Sequence, residues 1–209
     1  MRVIPIRRVH SLLADGEGLS LGITKACLGM LQNDIVVPGV TATGEYRLTP
    51  DLTSLRDGPR PGHISAWGEF READGSLSPL CPRALLRRTV EEAAAQGLEF
   101  EVGFEVELVF MARNYTKDIM TYLPICSDGH AWSTARSMEL GLVYKVLERA
   151  IGVLDDMGIY VEQFHPESAL GQYEVVLPKA SPLEAVETLL HVRDVISNIA
   201  YGEGWRVTL

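Results

Sequence analysis

Glu99, Glu101, Glu105 and Glu107 stand at alternate positions in one stretch, E-F-E-V-G-F-E-V-E-L-V-F, at residues 99–110. Side chains alternate faces along a strand, so these four carboxylates share one face with Gly103 and Val109. Phe100, Val102, Phe104, Val106, Leu108 and Phe110 share the other face, which is apolar throughout and predicts a buried side. Acids two residues apart on one face repel, and no cation stands among them. A solvated strand face accounts for such a row. A hard divalent cation such as Mg²⁺ accounts for it better, because it takes oxygen ligands from carboxylates. Such an ion needs further ligands from elsewhere in the chain.

A hairpin supplies candidates. Residues 159–165 (I-Y-V-E-Q-F-H) and 171–177 (G-Q-Y-E-V-V-L) read as strands, and the link 166–170 is short enough to join them directly. This unit carries Glu162, Glu167 and Glu174. Glu174 lies among Tyr173, Val175 and Val176, a costly place for an unpaired charge. Alternation puts Gln172 and Glu174 on one face. With the hairpin beside the 99–110 strand, Glu105, Glu107, Glu167 and Glu174 converge on one or two metal ions. Clustered carboxylates serve phosphoryl transfer in this way, where Mg²⁺ neutralises charge on phosphate oxygens.

The remaining elements must position these groups. Residues 1–10 read as a short strand, 11–14 as a short helix or turn, and 22–40 as mixed. Residues 44–55 and 63–71 are strand candidates, separated by the loop R-D-G-P-R-P-G at 56–62, and Ala73-Asp74-Gly75-Ser76 is a hairpin-type turn. The character changes at Cys81-Pro82, where proline at a first helical position opens a helix over 82–96. Residues 113–130 read as a loop-rich excursion. Ser133 or Thr134 caps a long amphipathic helix ending at Gly158. Ser181-Pro182-Leu183-Glu184 reads as a capping box for a helix running to Gly202, and W-R-V-T-L at 205–209 as a final strand. The second part is therefore α+β, and the first eighty residues are β-rich.

Composition sets the outer limits. The 209 residues carry 19 Lys+Arg against 28 Asp+Glu, a formal charge of −9, which argues against nucleic acid or an anionic membrane surface as partner. Cys27, Cys81 and Cys126 form no C-x-x-C pair, so neither a disulfide framework nor a zinc knuckle is indicated, and a reducing, cytoplasmic setting is the expectation. No run of eighteen apolar residues and no secretory signal is visible. Cys126 and His130 lack two further ligands for zinc. His10, His63, His130 and His191 read as surface residues.

At this point the motifs resemble a known family. G-F-E-V-E at 103–107 is similar to the Gly-x-Glu-x-Glu motif of glutamine synthetases. E-S-A-L-G-Q-Y-E at 167–174 resembles that family's Glu…Gly-Gln-x-Glu segment, spacing included. The resemblance implies a β-grasp-like domain over residues 1–80, without its first strand. It further implies, over 81–209, the N-terminal part of a catalytic domain with an antiparallel sheet and packed helices. It implies a reaction in which ATP phosphorylates the γ-carboxylate of glutamate and ammonia, or another amine, displaces the phosphate. Carried onto this chain, Glu107, Glu167 and Glu174 hold one Mg²⁺ or Mn²⁺ ion, Glu105 contributes to a second, and Glu162 and His165 contact the nucleotide. On the residues alone, His165 reads as a structural histidine that orients its neighbours. The resemblance also implies homo-oligomeric rings, with active sites between neighbouring subunits.

The departures set further expectations. The family's His-x-His, its phosphate-binding arginines and its glutamate flap belong beyond Leu209. An Asp-Gly-Ser latch has no match within 18–45. The expectation is a truncated homologue that binds metal with little or no turnover. A non-catalytic relative serving a structural or signalling role is the alternative, and an unrelated carboxylate-rich metal binder is the third reading.

Overall fold

A computed structural model describes residues 1–16, 18–116, 119–125 and 141–209. The expected helix cap at Ser133 or Thr134 and the Cys126–His130 pair lie outside the described residues. The chain forms two compact units: Met1–Leu55 with Ser65–Glu99, and Arg56–Ile64 with Phe100–Leu209.

The first unit holds a three-stranded antiparallel sheet in the order β1 (Leu21–Thr24), β2 (Glu45–Pro50), β5 (Gly68–Arg71), and the two-residue strands β3 (Arg56–Asp57) and β4 (Ile64–Ser65) lie between β2 and β5 in the chain. Its start is a helix, α1 (Ile6–Ala14), and not the expected strand. Pro5 sits at the N-cap, where its missing N–H costs nothing, and Val9 and Leu12 then recur at helical spacing, with Leu12 buried. The Asp74-Gly75-Ser76 turn forms as read: Ser76 donates its backbone N–H to Asp74 Oδ1 at 2.9 Å, and Arg71 pairs across the turn with Leu77. The helix α2 (Pro82–Ala94) follows, with Pro82 in its first turn. Arg83 of α2 reaches Glu69 of β5 at 3.1 Å and Asp51 at 2.7 Å, and Arg87 reaches Glu69 at 2.6 Å. Glu69 is buried, so these guanidinium groups compensate a charge that would otherwise be costly.

The second unit is built on a five-stranded antiparallel sheet. Its main path is β10 (Trp205–Thr208), β6 (Glu105–Thr116), β9 (Gln172–Val176), β8 (Gln163–Pro166), and β7 (Ile119–Pro124) also pairs with β6. Two helices, α3 (Leu142–Asp156) and α4 (Pro182–Gly202), share a core with the sheet. Val106, Leu108 and Phe110 of β6 and Tyr173 and Val175 of β9 meet Leu147 and Leu154 of α3 and Val192 and Ile196 of α4, all buried. The apolar face read from the alternation is thus the core face from Val106 onward. No helix among the described residues is long and apolar enough to cross a membrane.

The central strand begins later and runs further than its alternation predicts. Leu177 N–H donates to the Phe104 carbonyl and the next bonded pair is Val102 with Ala180, so Pro178 and Lys179 stand against Gly103 alone, a bulge that shifts the register by one. Phe100 therefore lies beyond the ladder and is 53% exposed. At the other end β6 continues to Thr116 and pairs with β7, from Met111 opposite Pro124 to Thr116 opposite Ile119, where a loop-rich segment was expected. Tyr115, Thr121 and Tyr122 have the branched or aromatic side chains that favour strands. Ser181 makes no side-chain capping hydrogen bond, so Pro182 in the first turn carries the start of α4 without the expected box.

His191 of α4 is 8% exposed and not a surface residue. Burial, reinforced by Arg56, lowers its pKa from the ordinary value, against a smaller opposing effect of Asp194. As pH falls below about 6.5, the unfolded chain protonates before the folded one. The stability contributed by neutral His191 is complete above that pH and is lost as pH falls through the lowered folded value. Between pH 7 and pH 5.5 the melting temperature of the wild type should therefore fall more than that of His191→Leu. Equal slopes in a thermal melt series would contradict this.

Candidate metal centre

β6 and β9 pair antiparallel with Glu107 opposite Glu174, Glu105 opposite Val176 and Val109 opposite Gln172. Directly opposed residues share a face, so Glu105, Glu107, Gln172 and Glu174 stand together on the side of the sheet away from the core. β8 adds His165 opposite Glu174. The sequence reading placed the hairpin beside the acidic strand, and the register does so with its two central glutamates paired.

The closest group is His165, Glu167 and Glu174, whose nearest potential ligand atoms lie within 4.8 Å of one another. His165 Nε2 is 3.6 Å from Glu174 Oε1, and its Nδ1 is 3.8 Å from Glu167 Oε1. Glu105 and Glu107 lie on the same face but outside this triad, and Glu162 lies one residue before β8, exposed. His165 was read as a nucleotide contact or as an orienting residue, and in the structure its ring stands between two of the proposed ligands.

The electrostatics suit a cation. Burial first, then repulsion from Glu105, Glu167 and Glu107, raises the Glu174 pKa above the ordinary carboxylate value, while His165 opposes the shift. A charge held unfavourably by desolvation and by like neighbours is relieved by a divalent ion. Glu107, Glu167 and Glu174 supply oxygen donors of the kind Mg²⁺ and Mn²⁺ take, so the residues present fit such an ion.

The turn that carries Glu167 is tightly held. Glu167 Oε2 accepts hydrogen bonds from the backbone N–H of Ser168 at 2.9 Å and from its hydroxyl at 3.0 Å. Gly171 has φ +71°, and a Cβ there would stand 2.7 Å from the Ile125 carbonyl oxygen, so only glycine closes this turn against the end of β7. Gln172 was noted only as sharing a face with Glu174. Its side chain donates from Nε2 to Glu107 Oε2 at 2.6 Å and accepts at Oε1 from the Ala169 N–H at 3.0 Å. Its place two residues before Glu174 was the available signal, but spacing alone does not show which acid the amide meets.

The glutamine synthetase catalytic-domain model matches residues 79–209. Protein fluG of Emericella nidulans is 35% identical over 198 residues, covering 90% of this chain and 22% of that protein. Gamma-glutamylpolyamine synthetase GlnA3 of Streptomyces coelicolor is 35% identical over 212 residues, covering all of this chain and 44% of that protein. Among solved structures, a GmaS/ADP complex superposes with a TM-score of 0.75 at 18% identity, over 99% of this chain and 44% of that one, a likeness of fold. The chain spans less than half the length of these relatives. By its matched catalytic-domain model, its motifs and its mixed antiparallel fold, the chain belongs to the glutamine synthetase family.

Proposed function

We propose that this chain carries the metal-binding sheet of an ATP-dependent ligase that joins glutamate to ammonia or another amine through a γ-glutamyl phosphate. The observation that carries the reading is the register of β6 on β9, which sets Glu107 opposite Glu174 with Glu167 at the adjoining turn. In this reading Glu107, Glu167 and Glu174 hold one Mg²⁺ or Mn²⁺ ion and Glu105 contributes to a second. Glu162 and His165 contact the nucleotide. When bound, the ions neutralise charge on the phosphate oxygens of ATP. The chain's own residues fix the place: the sheet orients the carboxylates, and His165 donates from Nδ1 to the Pro166 carbonyl at 3.1 Å, which holds its Nε2 3.6 Å from Glu174. Residues 1–80 serve as a β-grasp-like domain in a ring-shaped homo-oligomer.

The polyamine in the name of the Streptomyces relative makes the amine, and not glutamate, the open part of the substrate pair. Binding of a non-hydrolysable ATP analogue tests the reading. Binding should require Mn²⁺ and weaken several-fold in Glu162→Ala. Equal binding with and without Mn²⁺, and in Glu174→Gln, would overturn it. ADP formation by this chain alone with glutamate and either ammonia or a polyamine should be absent or close to it, and robust turnover would show that the chemistry lies within these residues.

A further inference from the structure

We infer that Gln172 is a positioning residue, a side-chain strut that sets the Glu107 carboxylate relative to the turn bearing Glu167. This inference rests on the metal reading of that carboxylate cluster. Glu107 belongs to β6 and Glu167 to the β8–β9 turn, so two segments far apart in sequence must present oxygens to one ion. Gln172 is bonded to both. Its Nε2 donates to Glu107 Oε2 at 2.6 Å, and its Oε1 accepts from Ala169 N–H, inside the turn, at 3.0 Å.

The amide orientation follows from its neighbours. A carboxylate can only accept and a backbone N–H can only donate, so the NH₂ end must face Glu107 and the oxygen must face Ala169. The backbone of the same residue closes the turn a second time: Glu167 N–H donates to the Gln172 carbonyl at 2.8 Å, and Gln172 N–H donates to the Ala169 carbonyl at 3.0 Å. Gly171, pressed against the Ile125 carbonyl, leaves the turn little room to shift. A hydrogen bond to an ionised acceptor is among the stronger kinds, and it restrains one Glu107 oxygen while the other remains available. Groups that hold a ligating carboxylate in this way typically change metal affinity 10- to 100-fold when removed. Asn is too short to span both partners. Glu keeps an acceptor for Ala169 but opposes Glu107 with a second negative charge.

The test is Mn²⁺ titration of the full chain, with free Mn²⁺ read by electron paramagnetic resonance, for wild type, Gln172→Met and Glu107→Gln. Met matches the length of Gln and makes neither bond. Gln172→Met should weaken Mn²⁺ binding roughly 10-fold with little change in the melting temperature of the metal-free protein, and Glu107→Gln should abolish binding. Wild-type Mn²⁺ affinity in Gln172→Met, together with loss of binding in Glu107→Gln, would overturn the positioning role while leaving the metal reading intact. Unchanged binding in Glu107→Gln would instead overturn the metal reading. A second measurement needs no Gln172 variant: in the metal-free protein, the Gln172 side-chain amide proton resonances should move upfield when Glu107 becomes Gln. Resonances that stay in place would show that the bond to Glu107 does not form.

Discussion

Addition of Mg²⁺ at about ten times its dissociation constant should raise the melting temperature of the wild-type chain by roughly 3–6 °C. This follows from about 1.4 kcal/mol of linked binding energy in a protein of this size. Glu174→Gln should lose that gain. The same variant should be more stable than wild type without metal, because burial and three neighbouring carboxylates disfavour the charge on Glu174. This opposite response with and without the ion separates a metal ligand from a structural residue, which would lower stability in both conditions. Glu99→Gln should behave as wild type, since Glu99 lies before the ladder that begins at Glu105. A Mg²⁺-dependent gain preserved in Glu174→Gln would contradict the assignment.

Glu69→Ala should cost the first unit about 3–5 kcal/mol, the range for removing one partner of a buried ion pair. Glu69 is 5% exposed and contacts Arg83 and Arg87, while Arg83 also holds Asp51. Without Glu69 the Arg83 guanidinium, itself largely buried, keeps only the partner at Asp51 among these acids. Replacing both members of the pair, Glu69→Leu with Arg83→Met, should cost less than Glu69→Ala alone, because the most buried guanidinium is removed with its partner and the groups that lose a contact, Asp51 and Arg87 among them, are more exposed. Hydrogen exchange of the β2 and β5 amides under native conditions resolves the unit concerned. Protection in Glu69→Ala within 1 kcal/mol of wild type would show that the cluster is not a stability determinant.

The parts of the fold legible in the sequence are those where one local pattern suffices. Alternation from Phe104 to Phe110 identified the core face because the β6 partners keep that register, and the short 166–170 link identified the hairpin. Alternation could not tell where the regular ladder stops, because that depends on the bulge at Pro178 and Lys179 in the opposing segment, some seventy positions away. The same limit applies to Glu69 and His191. Nothing in G-E-F-R tells that the glutamate faces two arginines on α2, and nothing around His191 tells that α4 turns it inward beside Arg56. Residues 6–10 of α1 were read as part of a strand and 11–14 as a short helix or turn, while Val9 and Leu12, at helical spacing after Pro5, carried the better signal.

The site divides in the same way. Glu107 and Glu174 stood out as acids on apolar strands, and their cross-strand pairing required only that the hairpin lie beside β6. The bonds of Gln172 to Glu107 and to the turn depend on side-chain reach across two strands, which residue spacing does not encode.

The central claim is that these carboxylates form one divalent metal centre. Crystals of the full chain soaked in Mn²⁺ and measured at the manganese absorption edge test it most directly. An anomalous peak within about 2.5 Å of oxygens from Glu107, Glu167 and Glu174 is the result expected. No peak at saturating Mn²⁺, or a peak away from the β6–β9 face, would contradict it.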